Sequence, residues 1–166
     1  RLAWMRLLCC ILGTQSNLIK AVNMADFCYN IALGRVVEYA ARVEANDPTN
    51  SAFIVVALVA GGVSDATLKD LNDLSAVLAT AANEATNTNY ARKTLANGSL
   101  TITVDDTNDR AEVDFADQTW SAVGAGDVWT DLIIAYDSDT TGGTDSNIVP
   151  MTQHDFAVTP DGSDIT

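Results

Sequence analysis

The residues of this chain with the most chemical potential are carboxylates. Asp137-Ser-Asp139-Thr-Thr141-Gly142-Gly143-Thr-Asp145 begins like a calcium loop: alternate positions 137, 139 and 141 can point oxygens at one centre, and Gly142 permits the sharp turn. Calcium held by Asp137, Asp139, Thr141 and Asp145 is therefore one expectation. Its weakness is the twelfth position, Ile148, where such a loop carries a bidentate Glu, and a solvated Asp/Gly turn is the plain alternative. A second acidic group, Asp105, Asp106, Asp109, Glu112 and Asp114, poses the same choice. Paired carboxylates also serve glycoside hydrolysis, where their separation in space decides the outcome. No aromatic-rich subsite accompanies them in the sequence.

Other chemistry is thinly supplied. His154 is the only histidine, so a His-rich metal site is excluded, and its strand-like setting Met151-Thr-Gln-His-Asp-Phe156 suggests a solvent-facing or hydrogen-bonded ring. There is no Walker loop, dinucleotide-binding glycine fingerprint or G-x-S-x-G elbow. Cys9, Cys10 and Cys28 lack zinc-site spacing, and an odd number leaves at least one thiol outside any intramolecular disulfide scheme. The residues argue for no enzyme and no organic cofactor.

Charge divides the 166-residue chain in two. The formal net charge is −13, yet residues 1–23 carry Arg1, Arg6 and Lys20 with no acid, leaving six bases against 22 acids beyond them. Such an acidic chain has no general grip on nucleic acid phosphates. The apolar run Leu7 to Leu12 is too short for the ~20 residues that cross a bilayer as a helix. It also lacks the length and cleavage site of a signal peptide. Met24 opens MADFCYNIALGR like a natural start, so residues 1–23 are expected to form an apolar arm or extension and residues 24–166 a single domain. The alternative is that the leader belongs to a helix. Leu18, Val22, Ala25, Tyr29, Leu33, Val36, Ala40 and Val43 recur at steps of three or four, predicting a helix from about Asn17 to Glu44 weakened by Gly34. That stripe either covers its own core or, at its first turns, buries against a neighbouring subunit.

The elements that must position these residues are mostly strands. SAFIVVALVA predicts a buried central strand over 52–60, and Ser64 or Asp65 caps one short amphipathic helix carrying Leu68, Leu71, Leu74 and Leu78. Alternating apolar residues predict strands at Tyr90–Leu95, Leu100–Val104, Arg110–Phe115, Gln118–Val123, Val128–Tyr136 and Ile148–Val158. Asn97-Gly98, residues 105–109, Gly124-Ala-Gly126 and Asp161-Gly162 are turn chemistry. The reading is a mainly-β (α+β) antiparallel sandwich or jelly-roll-like domain with an N-terminal helix and one short further helix. Ser163–Thr166, too short for an ordinary strand, either continue in a longer chain or pair with a strand from another molecule.

The segments NIALGRVVEY, SAFIVVALVA, DATLKDLNDL, NYARKTL, DDTNDRAEVDFADQTWSAV, LIIAYDSDTTGG and HDFAVTPDGSDIT span Asp26 to Thr166. Together they resemble small proteins encoded among the virion genes of tailed bacteriophages. Val104 to Phe115 followed by Thr119-Trp120, a strand, acidic turn and strand, is the most specific piece. The resemblance implies a non-enzymatic β-sandwich building block located in a virion or outside the cell. The leader departs from that family's pattern, which favours an assembly with an added N-terminal arm. The expectation is a self-assembling subunit of a virion, filament or fibre. Its arm residues Leu7, Leu8, Ile11, Leu12, Leu18 and Val22, with Tyr29, would dock on other copies. The alternative is a module that binds carbohydrate or a receptor on a host surface, for which Trp120, Trp129 or Tyr136 would stand exposed beside the Asp loops.

Overall fold

The computed structural model describes residues 6–8, 26–59, 63–80, 83–108 and 110–166. The fold is mainly β. Its centre is β3 (Ala52–Val59), whose β-branched run is buried along almost its whole length, as a strand covered on both faces requires. β3 lies between β7 (Trp129–Asp137) and β4 (Lys93–Leu95), and the sheet continues outward through β8 (Val149–Val158) to β2 (Phe27–Cys28). A second sheet holds β5 (Leu100–Asp105), β6 (Arg110–Phe115) and β1 (Arg6–Leu8), in the order β1-β6-β5. Every strand pairing in both sheets is antiparallel.

Register decides what each face carries. Phe53 lies opposite Tyr136 and Val55 opposite Ile134, so these four share a face. The ten-residue helix α1 (Val36–Ala45) meets that face through Tyr39, which stacks on Tyr136 at 4.2 Å between ring centroids. From the second sheet, Phe115 meets Phe53 edge-on at 5.5 Å, joining the two sheets in one apolar core. On the reverse face Gln153, opposite Ile133, accepts the Tyr29 hydroxyl at 2.9 Å. Helices α2 (Asp65–Leu68) and α3 (Leu74–Ala79) are tied in by main-chain bonds from Asn30 N–H to Lys69 O and from Leu74 N–H to Ile148 O, both 2.9 Å.

Three elements depart from the sequence expectations. Of the helix expected over 17–44, residues 17–25 lie outside the described residues, and from Asp26 onward the helix begins at Val36. Phe27 and Cys28 pair with β8 as strand, a 3₁₀ turn follows at Asn30–Ala32, and Gly34 takes φ +76°, which a helix cannot hold. Among the described residues of the stripe, only Val36, Ala40 and Val43 lie buried on a helical face. The single short helix is two. Asp73 sits extended and accepts Ala76 N–H at 2.8 Å, so it caps a second start just where a continuous helix would have passed. Of the strand expected at Gln118–Val123, Trp120 forms a single β-bridge, with Val123 bonded to Gly162 and Ser163 through the main chain. The partner of Trp120 is Ile165 of the same chain, through N–H to O bonds of 2.8 and 2.9 Å, so the Ser163–Thr166 stub finds its pairing within the molecule.

Candidate functional site

The feature most apt for interaction is the seat of β1 on β6. β6 is RAEVDF, with Val113 and Phe115 buried and Asp114 exposed between them, an alternation that fixes its inner face. One edge of β6 is filled by its hairpin partner β5. The other takes β1 in the register Arg6 to Asp114, Leu7 to Val113 and Leu8 to Glu112. An arm residue of positive charge thus stands opposite an acidic position, and leucines stand opposite Val113 and Glu112. Of the arm residues singled out from the sequence, Leu7 and Leu8 lie in this strand, while Ile11, Leu12, Leu18 and Val22 lie outside the described residues. Tyr29 is corrected. It is fully buried in the core of its own chain, its ring 5.1 Å from that of Phe27 and its hydroxyl on Gln153, so it offers nothing to a neighbouring subunit.

The acidic loops are closed on themselves. Asp137 Oδ1 accepts Asp139 N–H at 3.0 Å, and Asp139 Oδ1 accepts both the N–H and the hydroxyl of Thr141, at 3.0 and 2.6 Å. Those bonds hold the Asp139 carboxyl below its ordinary pKa. Asp145 turns elsewhere, to Arg92. The guanidinium donates to both Asp145 oxygens at 2.6 and 2.9 Å and to both Glu84 oxygens at 2.7 to 3.1 Å. Hydrogen bonding to Arg92 pulls the Asp145 pKa down, and the Asp145 and Glu84 bonds push that of Arg92 up. Asp137, Asp139, Thr141 and Asp145 are therefore not gathered on a common centre. Among the described residues no group of three or more His, Cys, Asp or Glu is placed to hold a metal ion. In the second acidic group, Asp105 caps its own turn, accepting Thr107 N–H, Asn108 N–H and the Asn108 amide, with Arg110 Nε at 3.1 Å. The Asn108 side chain, ahead of its backbone and Arg110, lowers the Asp105 pKa.

Replacing Arg92 with Met leaves Glu84 and Asp145 facing each other without their cation. The expected loss is about 2 kcal/mol in urea unfolding at pH 7, between the values for surface and fully buried pairs, since Arg92 is partly exposed. Because the folded pKa of Asp145 is depressed, its stabilisation is present above the unfolded carboxylate value and is lost as pH falls through the folded one. Arg92→Met should flatten that part of the acid limb.

Two buried polar arrangements escaped the sequence reading. Asp131, 2% exposed in the middle of β7, accepts the Thr130 hydroxyl at 2.7 Å and the Gln153 amide at 3.2 Å, and Gln153 in turn accepts Tyr29. Burial raises its pKa, with Asp65 and Asp26 adding to the rise against the Thr130 and Gln153 bonds. The signal in the sequence is one carboxylate inside the apolar run WTDLIIAY. The second is Asn87, whose Oδ1 accepts the Trp129 indole N–H at 2.9 Å while its amide donates to Gly124 O and Asp127 O. His154 has side-chain partners, Thr152 Oγ1 at 2.9 Å and Asp26 Oδ2 at 3.4 Å.

Trp120, Trp129 and Tyr136 are all buried, and the two tryptophans pack edge-on at 5.3 Å. The exposed aromatic platform on which a sugar-binding reading rested is absent at these three positions. Among the described residues no helix is long and apolar enough to cross a membrane. Comparison with protein-family models, curated proteins and solved structures finds no match.

Proposed function

We propose that this protein is a non-enzymatic, self-assembling structural subunit, of the kind that builds a virion, filament or fibre, and that its N-terminal arm makes the contact between copies. The observation that carries this reading is the pairing of Arg6–Leu8 with the edge of β6. The arm reaches its seat across residues 9–25, a separation that leaves the seat chemically available to any arm of the same sequence. Charge supports it as well: an arm with three bases and no acid meets a domain with 22 acids and six bases. The domain itself we read as a β-sandwich-type building block, a reading supported by the contact of Phe53 in one sheet with Phe115 in the other. The resemblance of Asp26–Thr166 to tailed-phage virion proteins points the same way, and the acidic surface would keep finished assemblies from clumping.

Sedimentation velocity and negative-stain electron microscopy of the intact chain, beside a version beginning at Met24, test the proposal. The intact chain should form oligomers as concentration rises and the shortened one should not. Monomers from both at high concentration would remove the basis for an assembly role.

A further inference from the structure

We infer that Arg6–Leu8 is exchanged between copies: β1 of one molecule adds as the edge strand to β6 of the next, displacing the strand that otherwise folds back. This deepens the assembly reading above and rests on it. Three observations converge. First, the contact is a main-chain ladder at a sheet edge, a mode of recognition in which an incoming strand of the same sequence reproduces the main-chain pairing and register of the resident strand. Exchange therefore gains and loses the same contacts, and what differs is the link. Second, 17 residues join Leu8 to Asp26, enough to span up to about 60 Å when extended, which exceeds the dimension of a small domain. A neighbour's arm competes for the seat once copies are packed to about the effective concentration of an arm on its own link, on the order of millimolar. Third, the seat and the arm are complementary in charge. β6 presents Asp114, with Asp117 shortly beyond, while its Glu112 is paired with Arg110 of the same strand; Arg6 stands at the register position of Asp114.

The geometry makes the exchange directional. The donated strand β1 and the accepting edge of β6 are different parts of the chain, so the contact is heterologous and each acceptor still has its own arm to give. Such a contact closes as a ring or continues as a filament. In either case the second sheet of every subunit is completed by its neighbour, apart from the terminal subunit of an open chain.

The test uses the full chain with Cys9, Cys10 and Cys28 replaced by Ser. One preparation carries Leu7→Cys and another carries Val113→Cys, nearly isosteric at a buried site. The two are mixed at rising concentration under mild oxidation, with circular dichroism verifying that each is folded. A disulfide joining position 7 of one chain to position 113 of another, identified by mass spectrometry and increasing with concentration, is the expected result. Leu7→Cys paired with Thr101→Cys on β5 should give no comparable product. In the chain with native cysteines, Leu7→Pro removes the main-chain donor that faces Val113, the residue of β6 whose N–H and C=O point away from β5, and should weaken association roughly tenfold. If the native chain associates but no 7-to-113 link forms between molecules, while a double Leu7→Cys/Val113→Cys variant closes within each chain, exchange is overturned and the assembly reading survives. If the native chain stays monomeric at every concentration, both fall. Association that is indifferent to Leu7→Pro also overturns exchange.

Discussion

Trp129→Ala is expected to cost about 4 kcal/mol of unfolding free energy, the range found when a large aromatic is cut from a packed core. Trp129 is fully buried and is the hub of an aromatic group, with Tyr90 and Trp120 each 5.3 Å away edge-on and Phe156 at 6.3 Å. Truncation removes those contacts and leaves Asn87 Oδ1 buried without its donor, while its amide still holds Gly124 and Asp127. Trp129→Phe separates the two contributions. It keeps most of the apolar contact and loses only the indole N–H, so about half the alanine loss should remain. Urea denaturation of the two variants reads both numbers. A loss below about 1 kcal/mol for alanine would show that Trp129 is not the centre of this core.

The second large effect has the opposite sign. Asp131→Asn should stabilise the protein at pH 8, by about 1 kcal/mol or more, because the wild-type carboxylate is buried among neutral donors while Asp65, Asp26 and Asp155 lie near enough to oppose its charge. An asparagine keeps the geometry: its oxygen accepts the Gln153 amide and its nitrogen donates to the Thr130 hydroxyl, which can turn toward Leu58 O at 3.4 Å. The folded pKa of Asp131 is raised above the unfolded one, so its favourable contribution is complete below the ordinary carboxylate range and disappears as pH rises through the folded value. The difference in melting temperature between Asp131→Asn and wild type should accordingly widen from pH 4 to pH 8. Asp131→Ala, which leaves the Gln153 amide without its acceptor, should instead destabilise across that range. A pH-independent difference between wild type and Asp131→Asn would mean that the carboxylate does not titrate in the folded protein.

Much of the β architecture is legible in the residues, because alternation survives wherever one strand face meets a core. Arg110–Phe115 is read to the residue, and β3, β5, β7 and β8 to within one. Among the described residues, the helix expected over 17–44 is misread ahead of Val36 because Tyr29 and Leu33 fit a 3.6 period by coincidence. Tyr29 is buried by a bond to β8, 124 positions away, and Leu33 is more than half exposed. Local periodicity carries no information about such a partner. The loop at 137–145 shows the same limit. Its spacing is that of a cation loop, but Asp145 is claimed by Arg92, 53 residues earlier, and no local pattern announces that pairing. The basic and apolar character of the arm is plain from composition, whereas the strand that receives it emerges only once β5 and β6 are folded into a hairpin with one free edge. Asp131 passes unremarked in the sequence, because its role appears only when Gln153 and Tyr29 are placed beside it.

The Trp120–Trp129 pair turns the fold into its own optical gauge. The Trp120 indole N–H bonds to Ala91 O while its main chain bridges Ile165, so this residue links the sheet core to the last residues described. Two indoles held at a fixed tilt couple their electronic transitions, giving a near-ultraviolet dichroic signature. That signal should fade, with a red shift in emission, when the segment around Ile165 detaches, while the far-ultraviolet spectrum of the strands stays unchanged.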